Sequence, residues 1–149
     1  MNKEKRYLRI IDQIEGLIKE IETPISRMAT INAILFHKMN NFFWTGFYLL
    51  DNGKLRVGPY QGPLACLNLK KDTGVCWAAI NKGETIVVPD VEKFPGHIAC
   101  DSRSKSEIVV LLKNKDKIVG VLDIDSDVHS NFDEIDAIHL ERITNLIYG

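Results

Sequence analysis

Two aspartates stand inside a stretch that otherwise reads as a buried strand. In Ile118-Val119-Gly120-Val121-Leu122-Asp123-Ile124-Asp125, Asp123 and Asp125 share one face, because successive strand side chains point to opposite sides. A second strand, Glu107 to Lys113, precedes it across Asn114-Lys115-Asp116. Read as a three-residue hairpin loop, that connection sets Lys113 against Lys117 and Glu107 opposite Asp123, diagonal to Asp125. Three carboxyls then converge beside apolar neighbours. Like charges this close cannot all ionise cheaply, so at least one holds a proton near neutrality. Such a cluster can give a proton to a substrate oxygen and grip an ammonium group. For Asp125 alone, a strand end emerging at a turn explains as much. Asp123, flanked by Leu122 and Ile124, points to function. Three carboxylates also suit a hard cation, but the chain offers no calcium-loop spacing.

The three cysteines are Cys66, Cys76 and Cys100. Their separations of 10 and 24 residues match no common zinc pattern and no C-x-x-C pair. Cys76, beside Val75 and Trp77 on a short helix, reads as a buried, inert thiol. Cys66 follows a Pro/Gly-rich loop that can move. Cys100 lies in a polar loop with His97 and Arg103 close in sequence, and positive charge near a partly exposed thiol makes it a better nucleophile. It stands seven residues before Glu107, within reach of the carboxyl cluster. Trp44, Gly46 and Tyr48 alternate onto one face of an earlier strand, where they serve either as core or as the wall of a small-ligand pocket, with the glycine leaving room.

Placing these groups requires a sheet with helices on one side. Tyr7, Ile10, Ile11, Ile14, Leu17, Ile18 and Ile21 predict an amphipathic helix over residues 3–22, stopped at Thr23-Pro24, and a second helix over 24–40. Phe42 to Leu50 and Lys54 to Tyr60 read as a hairpin about Asp51-Asn52-Gly53. Gly74 to Lys82 predicts a helix ending at Gly83, followed by a strand at Thr85 to Val88 and a long polar loop to Ser106. A last helix, Phe132 to Tyr148, starts at Asn131 with Glu134 three residues on. Helices at both ends of a hairpin-rich sheet indicate an α+β domain.

The 149 residues, 45% apolar and 26% charged, suit one domain that can fold without a disulfide or metal scaffold. Nineteen basic against 20 acidic residues argue against a nucleic-acid binder. No apolar run is long enough to span a bilayer, and the charged N-terminal stretch has no secretory-signal pattern. The cytoplasm is therefore the expected compartment.

At several segments the chain resembles the free methionine-(R)-sulfoxide reductases, small enzymes made of a single GAF domain. The matching stretches are Trp44-Thr45-Gly46-Phe47-Tyr48, Gly58 to Cys66, Gly74-Val75-Cys76, Phe94 to Ser102, Ser106 to Val110 and Gly120 to Asp125. A generic GAF domain lacks the segment around Cys100. Leu111 stands where the family usually has proline, and Trp77 where a small residue is usual.

The resemblance implies a GAF-like fold over residues 1–149, with a central antiparallel sheet between terminal helices. It implies that Cys100 attacks the sulfoxide sulfur while Glu107, Asp123 and Asp125 protonate its oxygen and hold the substrate's ammonium group. Trp44 and Tyr48 line the S-methyl end. Cys66 resolves the resulting sulfenic acid as a disulfide, with Cys76 an alternate or relay, and thioredoxin reduces that disulfide. The cycle needs no organic cofactor and no metal. The resemblance also suggests a homodimer. The alternative is a non-catalytic GAF module that senses a small ligand or redox state through Cys100.

Overall fold

The architecture follows from where each element buries its apolar side. A computed structural model describes residues 1–97 and 100–149. Ile98 and Ala99, inside the segment most specific to the family resemblance, lie outside the described residues. Helices α1 (Lys3–Ile18) and α2 (Pro24–Lys38) lead into strands β1 (Trp44–Asp51), β2 (Lys54–Gln61) and β3 (Asn68–Leu69). Helix α3 (Gly74–Lys82) and strand β4 (Ile86–Val88) follow, then β5 (Ser106–Asn114), β6 (Lys117–Ser126) and helix α4 (Glu134–Thr144). All neighbouring strands pair antiparallel in a six-stranded sheet of order β3-β2-β1-β6-β5-β4.

Strand alternation divides the interior in two. Phe47, Ile108, Val110, Leu112, Leu122 and Ile124 pack on one face against α1, α2 and α4 through Tyr7, Ile11, Met28, Leu35 and Leu140. Trp44, Tyr48, Val109 and Val121 point to the other face and pack against Val75, Cys76, Trp77 and Ala79 of α3. The carboxyl cluster belongs to this second face, since Glu107, Asp123 and Asp125 share strand parity with Val109 and Val121.

Helix ends explain most boundary differences. Helix α1 stops at Ile18, short of the expected residue 22, because Arg27 replaces the helical bonds there. Its Nε donates to the Ile21 carbonyl at 2.8 Å and its Nη2 to that of Ile18 at 3.3 Å. Helix α4 starts at Glu134 under an Asp133 cap, not at Asn131. Asp133 accepts from the backbone N–H groups of Ile135 and Asp136, while Asp136 accepts from that of Asp133 at 2.9 Å. Two residue pairs at three-residue spacing compete for the cap, and the all-aspartate pair prevails. Helix α3 matches its expected span and ends at Gly83 in the left-handed conformation, φ 70°.

The β5–β6 register also differs. The turn is the two-residue Lys115-Asp116, with Asn114 facing Lys117 and an irregularity between Leu112 and Lys113. Glu107 therefore faces Asp125, and Val109 faces Asp123. The pairing moves by two positions along the strand, so every side chain keeps its face.

Candidate active site

The three carboxyls meet on adjacent central strands. Glu107 is 5% and Asp123 6% exposed, and Asp125 is partly buried. Cys76, on α3 above the sheet, brings its Sγ within 4.8 Å of a carboxylate oxygen of both Glu107 and Asp123. Among the described residues, Asp123 Oδ1 is buried with no hydrogen-bond partner. Burial raises Glu107 and Asp125 well above the ordinary carboxylate range, and the charge of Asp123 raises both further. Asp123 is raised by burial but drawn back down by Glu107 and Cys76. The cluster titrates as a unit, and its negative charge is best placed on Asp123 while Glu107 and Asp125 carry protons. Burial first, and then the neighbouring acids, push the Cys76 thiol up, so it stays protonated.

The aromatic wall comes from β1. Trp44 and Tyr48 are 4% and 3% exposed and stack at 5.7 Å, and Trp44 also stacks on Tyr60 at 5.3 Å. Gly46 is needed for this stack. A Cβ there would lie 2.4 Å from the Trp44 ring and 2.5 Å from Tyr60 Cβ. The room it leaves is taken by the Trp44 ring, so at Gly46 the core alternative holds and the ligand one does not. Both aromatics also reach the loop that carries Cys66: Trp44 Nε1 donates to the Pro63 carbonyl at 3.0 Å and Tyr48 Oη to that of Cys66 at 2.9 Å. The Tyr48 phenol is held far above its ordinary pKa, mainly by burial, and remains a donor.

Cys66 and Cys100 form a disulfide, with Cα atoms 5.5 Å apart. The loop bearing Cys100 is organised by Arg103, which meets Asp101 at 2.7 Å and lies 4.7 Å over the Phe43 ring. The hydrogen bonds from Arg103 hold the Asp101 carboxyl down to about 2. His97 Nε2 lies 3.7 Å from Glu107 Oε1, and burial favours its neutral form. The positive charges expected beside Cys100 are therefore engaged elsewhere, Arg103 with Asp101 and Phe43, and His97 neutral against Glu107.

Seven of the eight singled-out residues, Trp44, Tyr48, Cys76, Cys100, Glu107, Asp123 and Asp125, line one cavity with ≈ 50 Å³ open to the centre of a water molecule. Cys66 joins it through the disulfide. His97 lines it too, and Phe43, Leu64 and Ser104 join without having had a role in the sequence reading, because each sits in a loop or at a strand end where periodicity carries no signal.

The GAF-domain family model matches residues 35–147. GAF domain-containing protein A of Dictyostelium discoideum is 48% identical over 98% of this chain and 92% of its own length. The free methionine-R-sulfoxide reductase of Escherichia coli is 37% identical over 96% of this chain and 87% of its own. The crystal structure of the Neisseria meningitidis free methionine-R-sulfoxide reductase in complex with its substrate superposes with a TM-score of 0.95 at 39% identity, over 99% of this chain and 89% of that one.

The chain belongs to the free methionine-R-sulfoxide reductase family of GAF domains. Within that family fold, the second face of the sheet is the one that holds the cavity, and the terminal helices cover the first. The thiol and two carboxyls of Cys76, Glu107 and Asp123 are spaced so that they could also surround a divalent cation. Among the described residues, no helix is long and apolar enough to cross a membrane.

Proposed function

We propose that this chain reduces free L-methionine (R)-sulfoxide to methionine through a cysteine sulfenic acid and disulfide cycle that thioredoxin resets. The observation that carries this reading is the Cys66–Cys100 disulfide at a cavity that Glu107, Asp123 and Asp125 also line. The activity named for the Escherichia coli and Neisseria meningitidis relatives supports it.

The Cys100 thiolate bonds to the sulfoxide sulfur while Glu107 or Asp125 protonates the sulfoxide oxygen. The hydroxyl then passes to Cys100 Sγ as the substrate S–O bond and the Cys100–sulfur bond break, so methionine leaves two electrons richer and Cys100 is left as a sulfenic acid. Cys66 then attacks that sulfur, water leaves, and the disulfide forms. Thioredoxin returns both cysteines to thiols by exchange. Asp123, charged and with an orphaned oxygen, holds the substrate's ammonium group, and Trp44 and Tyr48 enclose the S-methyl end. Cys76, protonated and buried, serves as a neighbour that steadies the charge on Asp123, while Cys66 is the resolving thiol. No metal or organic cofactor enters the cycle. The need for a reducing partner places the protein in the cytoplasm. Two copies pairing as a homodimer completes the proposal, and sedimentation giving a monomer would remove that part.

The test is NADPH consumption with thioredoxin, thioredoxin reductase and each free sulfoxide epimer. Turnover of the R epimer alone, abolished in Cys100→Ser, is the expected result. N-acetylation of the substrate removes the ammonium that Asp123 holds and should cut kcat/KM by about 10²-fold or more. Undiminished turnover by Cys100→Ser would overturn the mechanism.

A further inference from the structure

The surface beside Cys66 is built for something larger than an amino acid. Leu64 and Leu67 flank the Ala65-Cys66 pair and are 79% and 60% exposed, while Ala65 between them is buried. Beyond Leu67 the chain becomes β3 at the edge of the sheet. The groove along that edge is lined by Lys54, Arg56, Lys70 and Lys71 with Trp77 at its base. Arg56 lies 3.5 Å from Asp51. Lys54, Lys70 and Lys71 have no ion-pair partner among the described residues. On the Cys100 side, Asp101 and Arg103 neutralise each other at 2.7 Å. The disulfide thus sits beside two bare leucines and a positive flank, in a chain whose net charge is −1.

The small substrate has no use for Leu67, Lys70 and Lys71, which do not line the cavity, while Leu64 stands at the border between cavity and surface. Exposed apolar side chains rimmed by polar ones mark interaction sites. An uncompensated positive flank steers a partner of opposite charge. A partner that must leave after every turnover also needs only a small interface.

We propose that Leu64, Leu67 and the Lys70–Lys71 flank dock the protein dithiol that resets the disulfide, a thioredoxin-type protein with acidic residues around its exposed cysteine pair. This rests on the reductase reading. In the docked complex a thiolate of the reductant bonds to Cys66 Sγ, the Cys66–Cys100 bond breaks, and Cys100 leaves as a thiolate. The reductant's second thiolate then attacks its own mixed-disulfide sulfur and releases Cys66. The reductant ends as a disulfide, and its two thiol protons end on Cys66 and Cys100.

Leu67→Asp and the pair Lys70→Glu/Lys71→Glu test this, with turnover driven in parallel by thioredoxin and by dithiothreitol, a small neutral reductant that needs no docking face. The expected result is a fall of about tenfold or more in kcat/KM for thioredoxin in both variants. Dithiothreitol-driven turnover should stay at the wild-type level. Added salt should weaken wild-type coupling to thioredoxin and shrink the deficit of the charge variant. Unchanged kcat/KM for thioredoxin with intact dithiothreitol turnover would overturn the docking face. So would conversion of a wild-type dimer to a monomer by Leu67→Asp, which would make the patch a contact between copies. If dithiothreitol drives no turnover in the wild type, the reductase reading itself fails.

Discussion

Glu107 and its two partners are costly to bury, and the cost has a definite pH dependence. Their folded-state pKa values lie above the ordinary ones. Above the ordinary carboxylate range the folded chain therefore binds more protons than the unfolded one, and stability falls as pH rises toward the raised values. Glu107→Gln keeps the shape and the proton-like donor but removes this penalty. It should raise stability by about 1–2 kcal/mol at mildly alkaline pH and by little at acid pH, read as melting temperature against pH. The same variant should lose turnover by about 10²-fold or more if Glu107 is the proton donor. An equal melting temperature at both pH values would show that burial does not load the cluster. Tyr48 offers a second residue-level test. Tyr48→Phe keeps the ring but drops the bond to the Cys66 carbonyl, so it should slow disulfide formation while leaving the first methionine released per chain unchanged. Trapping of a longer-lived sulfenic acid by dimedone reads this directly. The acid cluster was legible in sequence because two carboxylates in an apolar strand break its pattern, and the slip of two in register left their face unaltered. The approach of Cys66 to Cys100 was not legible from spacing, since it depends on how two irregular loops lie against the sheet. It entered through the family resemblance.

Elements with a chemical stop signal were the ones sequence placed best. Helix α3 ends at Gly83 because glycine adopts φ 70° without a Cβ penalty, and the β1–β2 turn uses Asn52 and Gly53 at φ 52° and 75°. Strand β3 was missed, two residues being too few to show a period. The end of α1 is set by a tertiary contact, a guanidinium from α2, and the start of α4 by a choice between two local caps that the pattern alone does not rank. Within β1 the decisive position is Gly46. Gly46→Ala should cost about 1–3 kcal/mol, because the Trp44 ring must swing away from Tyr60 to admit the methyl group. Chemical denaturation measures the cost, and a shifted Trp fluorescence spectrum would report the movement. A variant as stable as wild type, with unchanged emission, would mean that the stack is looser than its geometry indicates.

At the level of the whole molecule the two sheet faces divide the labour. One is sealed by helices, and Tyr7 of α1 and Lys3 both bond Asp136 at the start of α4, at 2.5 and 2.6 Å. The other carries the cavity and its two cysteine loops. The Cys66–Cys100 bond closes a ring across 34 residues of that second face. By restricting the unfolded chain it should add about 2–4 kcal/mol to stability. Calorimetry of the oxidised and reduced protein should therefore give a melting temperature several degrees higher for the oxidised form, and equal values would contradict this. On the proposed cycle the bond is made and broken once per turnover. A chain at work spends part of its time in the form that resists unfolding, and an idle, reduced chain spends none. Where proteases clear unfolded copies, the lifetime of each molecule then lengthens with the supply of its substrate, and the pool of protein grows with the demand placed on it.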